Sequence, residues 1–328
     1  MLADLHRTVA ERDLAAAVLP PFTQLVPRVP DAGSDGLALE LGEGRGRPAL
    51  FVRIANYLGG MIRLNPMGKD AANGKGCPMY DAVLSETVTI TGYAGDAIEA
   101  YSARPLTPGP VGGVVVIHHL PGYDRQTKEF TRSLAVGGFN ACMPNLYFRE
   151  APGADPDDAM ATARAKGVIP LPDDRVVGEV AGAAAYLKGL ANANGKIGVI
   201  GHCSGGRQSF LAAVSLPLDA AVDCYGGFVA GSPPAGHPLH GWDPIVNKTA
   251  DLSCPLLGLF GSQDVQPGPE HVAELEAALK AAGKTYKFRT YEGASHAFLQ
   301  VDSPRYHAQS AVDAWGEILA WFGRYLAA

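Results

Sequence analysis

The chain has 328 residues, of which 47% are hydrophobic and 18% are charged, so it can bury a substantial core. Its 33 acidic residues outnumber its 27 Lys and Arg residues, and the net charge of −6 excludes the strongly basic surface of a typical nucleic-acid-binding protein. The N-terminus has early acidic residues and no long apolar stretch, and no run of about 18 apolar residues occurs anywhere, so we expect neither a signal peptide nor a membrane span.

The segment 1–83 carries no recognisable catalytic motif. Residues 2–18 and 49–62 have the apolar spacing of helices, and Gly and Pro mark residues 28–47 as a loop. The segment is too apolar for a disordered tail. We therefore predict a mainly helical N-terminal extension that packs on the main domain or on a second copy of the chain, the latter giving a homodimer through residues 1–83.

From residue 84 to residue 328, strands and helices alternate, which predicts one α/β domain. Residues 87–92 and 97–104 predict a hairpin, and the Gly- and Pro-rich stretch 226–247 predicts a loop over a pocket. The other predicted strands are 114–117, 139–143, 197–200, 220–225, 256–260 and 286–291, and the predicted helices are 128–136, 173–190, 207–214, 269–282 and 303–326. This alternation is typical of a mostly parallel sheet with helices on both faces and a ligand site at the carboxyl ends of the strands.

A Gly-rich turn joins the predicted strand 197–200 to the predicted helix 207–214. It reads Gly-His-Cys-Ser-Gly-Gly from Gly201 to Gly206, with Cys203 at its centre. A nucleophile elbow has this strand, turn and helix, and its glycines allow the chain to turn sharply without a clash. The N-terminus of the following helix favours a thiolate over a thiol. The pattern therefore predicts Cys203 as a nucleophile.

An elbow enzyme needs an acid and then a histidine later in the chain. Asp264 follows the apolar strand 256–260, and His296 follows the strand 286–291. Taken singly, Asp264 could cap a helix and His296 could lie on the surface. Taken together, their order and their loops at the same sheet edge predict a triad of Cys203, Asp264 and His296.

The same motifs suggest further roles and exclude others. The backbone N–H groups of Leu120 and Ser204 are predicted oxyanion donors, because each follows a strand that delivers its loop to the site. His202 is expected to pack or hydrogen bond beside the nucleophile. His118, His119 and His202 could be considered as metal ligands. However, adjacent histidines on a strand point to opposite faces, and no carboxylate lies at metal-ligand spacing from them, so we predict no metal site.

The segment from about residue 84 to residue 328 resembles the dienelactone hydrolase family, the carboxymethylenebutenolidase-like branch of the α/β-hydrolases. The matching motifs are GHCSGG at the elbow, GSQD with Pro267 at the acid, EGASHAF at the histidine, and MPNLYFREAPG over 143–153. The resemblance implies an α/β-hydrolase fold and a Cys-His-Asp triad that opens an ester or lactone through an acyl-enzyme. It implies neither a metal nor an organic cofactor. It also places Tyr147 in the substrate pocket.

The chain departs from the family pattern at three positions. Where the family has a Glu beside the resting thiol, this chain has His119, which as a neutral imidazole could accept the thiol proton. Where the family has a carboxylate-binding Arg four residues after the catalytic histidine, this chain has Gln300. The family's other carboxylate-binding Arg corresponds at best to Arg164. Without the paired arginines, the resemblance predicts the chemistry better than it predicts the substrate.

The sequence thus predicts a cysteine-dependent hydrolase of a small ester or lactone. Five Cys residues with no paired spacing suggest a reducing compartment, and hence the cytoplasm. Two alternatives stay open at this point. One is a binding or regulatory protein that keeps the fold without turnover, and the other is an α/β-hydrolase that acts on a thioester or a C–C bond.

Overall fold

The computed structural model describes residues 82–107, 109–120, 122–237 and 239–328. The extension predicted for residues 1–83, with its helices and its possible role in a homodimer, lies almost entirely outside the described residues.

Eight strands form one sheet in the order β1-β2-β4-β3-β5-β6-β7-β8. The first two strands form the predicted hairpin, β2 also pairs antiparallel with β4, and all other pairs are parallel. The strands are β1 Val83–Thr91, β2 Ala97–Pro105, β3 Val111–Ile117, β4 Asn140–Pro144, β5 Ala193–His202, β6 Ala220–Cys224, β7 Leu256–Gly261 and β8 Tyr286–Tyr291. The predicted mostly parallel sheet is confirmed.

Six α-helices of the described chain cover the sheet. They are α1 Arg125–Val136, α2 Pro156–Ala165, α3 Asp173–Lys188, α4 Ser204–Ser215, α5 Pro269–Ala281 and α6 Ala308–Leu326. Alternate strand residues serve two cores: Val115 and Ile117 of β3 belong to the core that contains residues of α3, α4 and α5, whereas Val114 and Val116 belong to the core that contains residues of α1 and α6. Helices therefore lie on both faces of the sheet, as expected for buried parallel strands.

Two helices differ from the prediction. Helix α2 was not predicted, although Pro156 at its start and acidic Asp157 and Asp158 in its first turn are ordinary helix-start signals. The last helix begins at Ala308, five residues after the predicted start at 303, because residues 299–306 form turns around Pro304. Among the described helices, none combines the length and the hydropathy needed to cross a membrane.

Candidate active site

Cys203 occupies a strained backbone position between β5 and α4. Its φ of 57° and ψ of −121° lie where non-glycine residues are rare, and its N–H donates to the carbonyl oxygen of Cys224 at 3.0 Å. Strain of this kind is characteristic of a nucleophile elbow, which lifts the side chain above the sheet edge. The bond to β6 holds the turn in this conformation.

At the elbow the backbone segments pack so closely that Gly201 and Gly205 have no room for a side chain. A Cβ at Gly201 would collide with the carbonyl oxygen of Gly205, and a Cβ at Gly205 would collide with the carbonyl oxygen of Ile117. The first turn of α4 therefore lies directly against the ends of β3 and β5. This contact brings Cys203 next to the loop that follows β3.

His296 and Asp264 meet at the same edge of the sheet. Asp264 follows β7 and is 3% exposed, and its Oδ2 lies 2.8 Å from Nδ1 of His296. The thiol of Cys203 is a second hydrogen-bonding partner of the same imidazole. Burial acts to lower the pKa of His296, but the hydrogen bonds to Asp264 and Cys203 outweigh it and raise this pKa to about 10. The surroundings of His296 thus favour an imidazolium beside the sulfur.

Tyr225 supports the imidazole from the side. It directly follows β6, is fully buried, and packs its ring edge-on against His296 with a centroid separation of 5.2 Å. Its backbone has a φ of 43°, and its N–H donates to the carbonyl oxygen of Leu259 at 2.8 Å. Tyr225 was not among the predicted site residues, although its place as the last residue of the predicted strand 220–225 was an available signal.

The two predicted oxyanion donors border the nucleophile. Leu120 and Ser204 both line the cavity that contains Cys203 and His296. Ser204 is the first residue of α4, so its N–H has no acceptor within the helix. The N–H of Leu120 forms no hydrogen bond within the described part of the chain. Both donors are therefore available to a developing oxyanion.

The cavity above Cys203 has a volume of about 650 Å³. The segment 226–247, which was predicted to lie over the pocket, contributes Gly227, Phe228, His237 and Leu239 to its walls. The remaining wall residues are Leu120, Cys203, Ser204, Gln263, Asp264, Val265, Gln266, Ser295, His296 and Arg305. The size suits a small organic molecule, and the wall is mostly apolar around a few polar groups.

His119 and Gln300, the two departures from the family pattern, are bonded to each other. Gln300 Nε2 lies 2.7 Å from Nδ1 of His119, and the other ring nitrogen of His119 pairs with Asp124. Burial acts to raise the pKa of Asp124, but the hydrogen bond from His119 and the other contacts of this carboxyl group outweigh it and lower the pKa to about 2, so the ionised carboxylate accepts a hydrogen bond from Nε2–H. Both nitrogens of His119 are therefore engaged, which argues against His119 as a second base for the thiol.

Three other residues predicted for the site, His202, Tyr147 and Arg164, do not line the cavity. His202 is 1% exposed and stacks on Phe130 at 4.2 Å, and burial lowers its pKa to about 3. Tyr147 is 5% exposed and packs against the ring of His118. Arg164 lies exposed in the last turn of α2. None of Tyr147, Arg164 and Gln300 is among the wall residues of the cavity.

The fold and the arrangement of these loops define a class of protein. A mostly parallel sheet with an elbow after β5, an acid after β7 and a histidine after β8 is characteristic of the α/β-hydrolases. Among the described residues, no group of three or more His, Cys, Asp or Glu side chains is arranged to hold a metal ion.

The chain belongs to the dienelactone hydrolase family, whose family model matches residues 98–326. A Salmonella typhimurium protein provisionally named carboxymethylenebutenolidase is 34% identical over 249 residues, which cover 75% of this chain and 89% of the relative. The carboxymethylenebutenolidase of Pseudomonas putida is 29% identical over 234 residues, which cover 70% of this chain and 92% of the relative.

Solved structures agree with this assignment. A provisionally assigned dienelactone hydrolase of Klebsiella pneumoniae superimposes with a TM-score of 0.65 and 30% identity, covering 75% of this chain and all of the other. A dienelactone hydrolase of Anabaena variabilis, at 16% identity and a TM-score of 0.55, covers 75% of this chain and 99% of the other and shares the fold. The resemblance read from the motifs is therefore confirmed at the level of the family.

Proposed function

We propose that this protein is a cysteine-dependent hydrolase that opens a small carboxylic ester or lactone through an acyl-enzyme. The observation that carries the proposal is the thiol of Cys203 on a strained elbow beside the His296–Asp264 pair, in the wall of a mostly apolar cavity. The relatives named carboxymethylenebutenolidase support a lactone as the natural substrate class.

In the first half of the reaction the sulfur of Cys203 forms a bond to the substrate carbonyl carbon. The carbonyl oxygen becomes an oxyanion and receives hydrogen bonds from the N–H groups of Leu120 and Ser204. The proton of the thiol resides on His296, where Asp264 stabilises the imidazolium. When the tetrahedral adduct collapses, the carbon–oxygen bond to the leaving alkoxide breaks and His296 gives that alkoxide its proton.

In the second half, water replaces the sulfur. His296, now neutral, takes a proton from water as the water oxygen attacks the thioester carbon. The same two N–H groups receive the second oxyanion. Collapse releases the carboxylic acid and returns the thiolate, so a lactone is opened to a hydroxy acid with consumption of one water.

The surroundings of the other thiols fit a reducing compartment, and we propose the cytoplasm. Cys142, Cys224 and Cys254 are free and buried, and no disulfide joins them. In a compartment that keeps thiols reduced, Cys203 stays available as a nucleophile.

Turnover of a panel of lactones and aryl esters tests the function. We expect hydrolysis by the wild type, and we expect Cys203→Ala to lose it while keeping the same melting temperature. A mass spectrum taken during turnover of an aryl ester should show the acyl group on the peptide that contains Cys203. Undiminished turnover by Cys203→Ala, or an acyl group on Ser204, would contradict the proposal.

A further inference from the structure

The two histidines that follow β3 point away from each other. His119 reaches Asp124 and Gln300, whereas His118 turns toward the segment after β4 and is 1% exposed. The reaction proposed above uses neither ring. His118, however, is bonded to the peptide group that borders the cavity.

The hydrogen bonds of His118 define its tautomer. Its Nδ1 lies 2.9 Å from the carbonyl oxygen of His119, and its Nε2 lies 3.2 Å from the backbone nitrogen of Leu146. A carbonyl oxygen accepts and a backbone N–H donates, so Nδ1 carries the proton and Nε2 accepts. Burial lowers the pKa of His118 to about 4, so at neutral pH the ring is uncharged and can make both bonds.

The anchor of this ring is rigid. Leu146 is 1% exposed, and its carbonyl oxygen accepts a hydrogen bond from Arg175 Nη2 at 2.7 Å. Tyr147 packs against the imidazole with a ring-centroid separation of 5.4 Å. The position of the His118 ring is thus determined by the segment after β4.

The carbonyl of His119 and the N–H of Leu120 belong to one peptide group. A trans peptide is planar, and its C=O and N–H point in opposite directions. The bond from His118 Nδ1 to the oxygen of His119 therefore sets the rotation of this plane. The direction of the Leu120 N–H follows from that rotation.

We propose that His118 is a positioning residue of the oxyanion hole, which aims the N–H of Leu120 into the cavity by holding the other end of the same peptide group. This inference rests on the proposed function, in which that N–H receives the oxyanion. His118 then matters for steps that build negative charge on the carbonyl oxygen. It does not matter for alkylation of the thiolate by iodoacetamide, because that displacement at carbon forms no oxyanion.

Two substitutions of His118 distinguish the contributions of its two hydrogen bonds, because each keeps one of them. In His118→Asn the amide nitrogen occupies the region of Nδ1 and keeps the donor to the carbonyl of His119. In His118→Gln the amide oxygen occupies the region of Nε2 and keeps the acceptor for Leu146, but the donor to the carbonyl of His119 is lost. Each variant loses one hydrogen bond and ring packing, so the two are matched for structural damage.

We expect kcat of His118→Gln on an aryl ester to fall on the order of 10²-fold, the loss that follows removal of one oxyanion donor. KM should change little, because the peptide acts mainly on the transition state. His118→Asn should retain at least about a tenth of the wild-type kcat, since its peptide plane is still held. The rate of Cys203 alkylation should equal that of the wild type in both variants.

Equal losses of kcat in the two variants would overturn the inference, as would a parallel loss of turnover and alkylation. Failure of the proposed function gives a different result, namely no hydrolysis by the wild type or full hydrolysis by Cys203→Ala. A further measurement needs no folded variant: a long-range ¹H–¹⁵N spectrum of the wild type should show a buried histidine protonated at Nδ1 and unprotonated at Nε2. The opposite tautomer at His118 would exclude the bond on which the inference depends.

Discussion

Asp264 Oδ2 lies 2.8 Å from Nδ1 of His296, and this contact joins two loops whose residues are 32 positions apart in the chain. Asp264 is almost fully buried and also accepts the N–H of Gln266 at 2.8 Å through its other oxygen. The carboxylate is therefore held in place before substrate arrives, and it orients the imidazole toward Cys203.

Replacement of this carboxylate should abolish most of the activity. Asp264→Asn keeps the shape of the side chain but allows the wrong tautomer of His296, and we expect turnover to fall on the order of 10⁴-fold. Glu292→Gln is the matched control, because Glu292 is an exposed acid in the loop that carries His296. Steady-state kinetics and circular dichroism check both variants. If Asp264→Asn kept more than about a tenth of the turnover, another acid would serve His296.

Cys203 should be the first thiol to react with a limiting amount of iodoacetamide. It is partly exposed and next to an imidazole, whereas Cys142, Cys224 and Cys254 are buried. Burial raises the pKa of all three, that of Cys254 to about 12, which keeps them as unreactive thiols. Peptide mapping should find the label on Cys203, with activity lost in proportion. Preferential labelling of any other Cys, including Cys77 outside the described residues, would contradict the assignment.

The buried Asp223 should make stability depend on pH. It is fully buried on β6, and burial raises its pKa to about 7 although its Oδ1 accepts the N–H of Gly226 at 2.7 Å. Because the folded-state pKa exceeds the ordinary Asp value of 3.8, which applies in the unfolded chain, the contribution of Asp223 to the free energy of unfolding is fully present below about pH 4 and is lost as pH rises toward 7.

Asp223→Asn removes this titration and keeps an acceptor for Gly226. Urea unfolding at several pH values should therefore show the wild type losing stability relative to the variant between about pH 4 and 7. Above about pH 7 the difference in the free energy of unfolding between the wild type and Asp223→Asn should be constant. A stability difference independent of pH over the whole range would mean that the carboxyl group of Asp223 ionises in the fold as readily as in the unfolded chain.

The Gln300–His119 bond should contribute to stability. Gln300→Leu leaves Nδ1 of a buried imidazole without a partner, and we expect a loss of about 1–3 kcal/mol in the free energy of unfolding. Gln263→Ala is the control, because Gln263 is exposed and its side chain forms no hydrogen bond within the described chain. In a double-mutant cycle with His119→Leu the effects should be clearly less than additive, and strict additivity would show that the two side chains do not interact.

Local sequence patterns were sufficient to predict the fold and to select the residues of the candidate triad. The alternation of apolar strands with amphipathic helices predicted the parallel sheet, and the order of the elbow, Asp264 and His296 predicted which loops carry the site. These features are readable because strand and helix periods, and the glycines of a sharp turn, depend on near neighbours in the chain. Helix α2 was missed although its proline and acidic first turn were present, because its apolar face is short.

The tertiary structure alone decided what the two histidines after β3 contact. The sequence allowed His119 to face the thiol, but its ring nitrogens meet Asp124 and Gln300, the latter 181 positions away. His118 gains its second partner, Leu146, from the segment after β4. Such pairs depend on which loops the sheet order brings together, and no local period specifies a contact between residues so far apart in the chain.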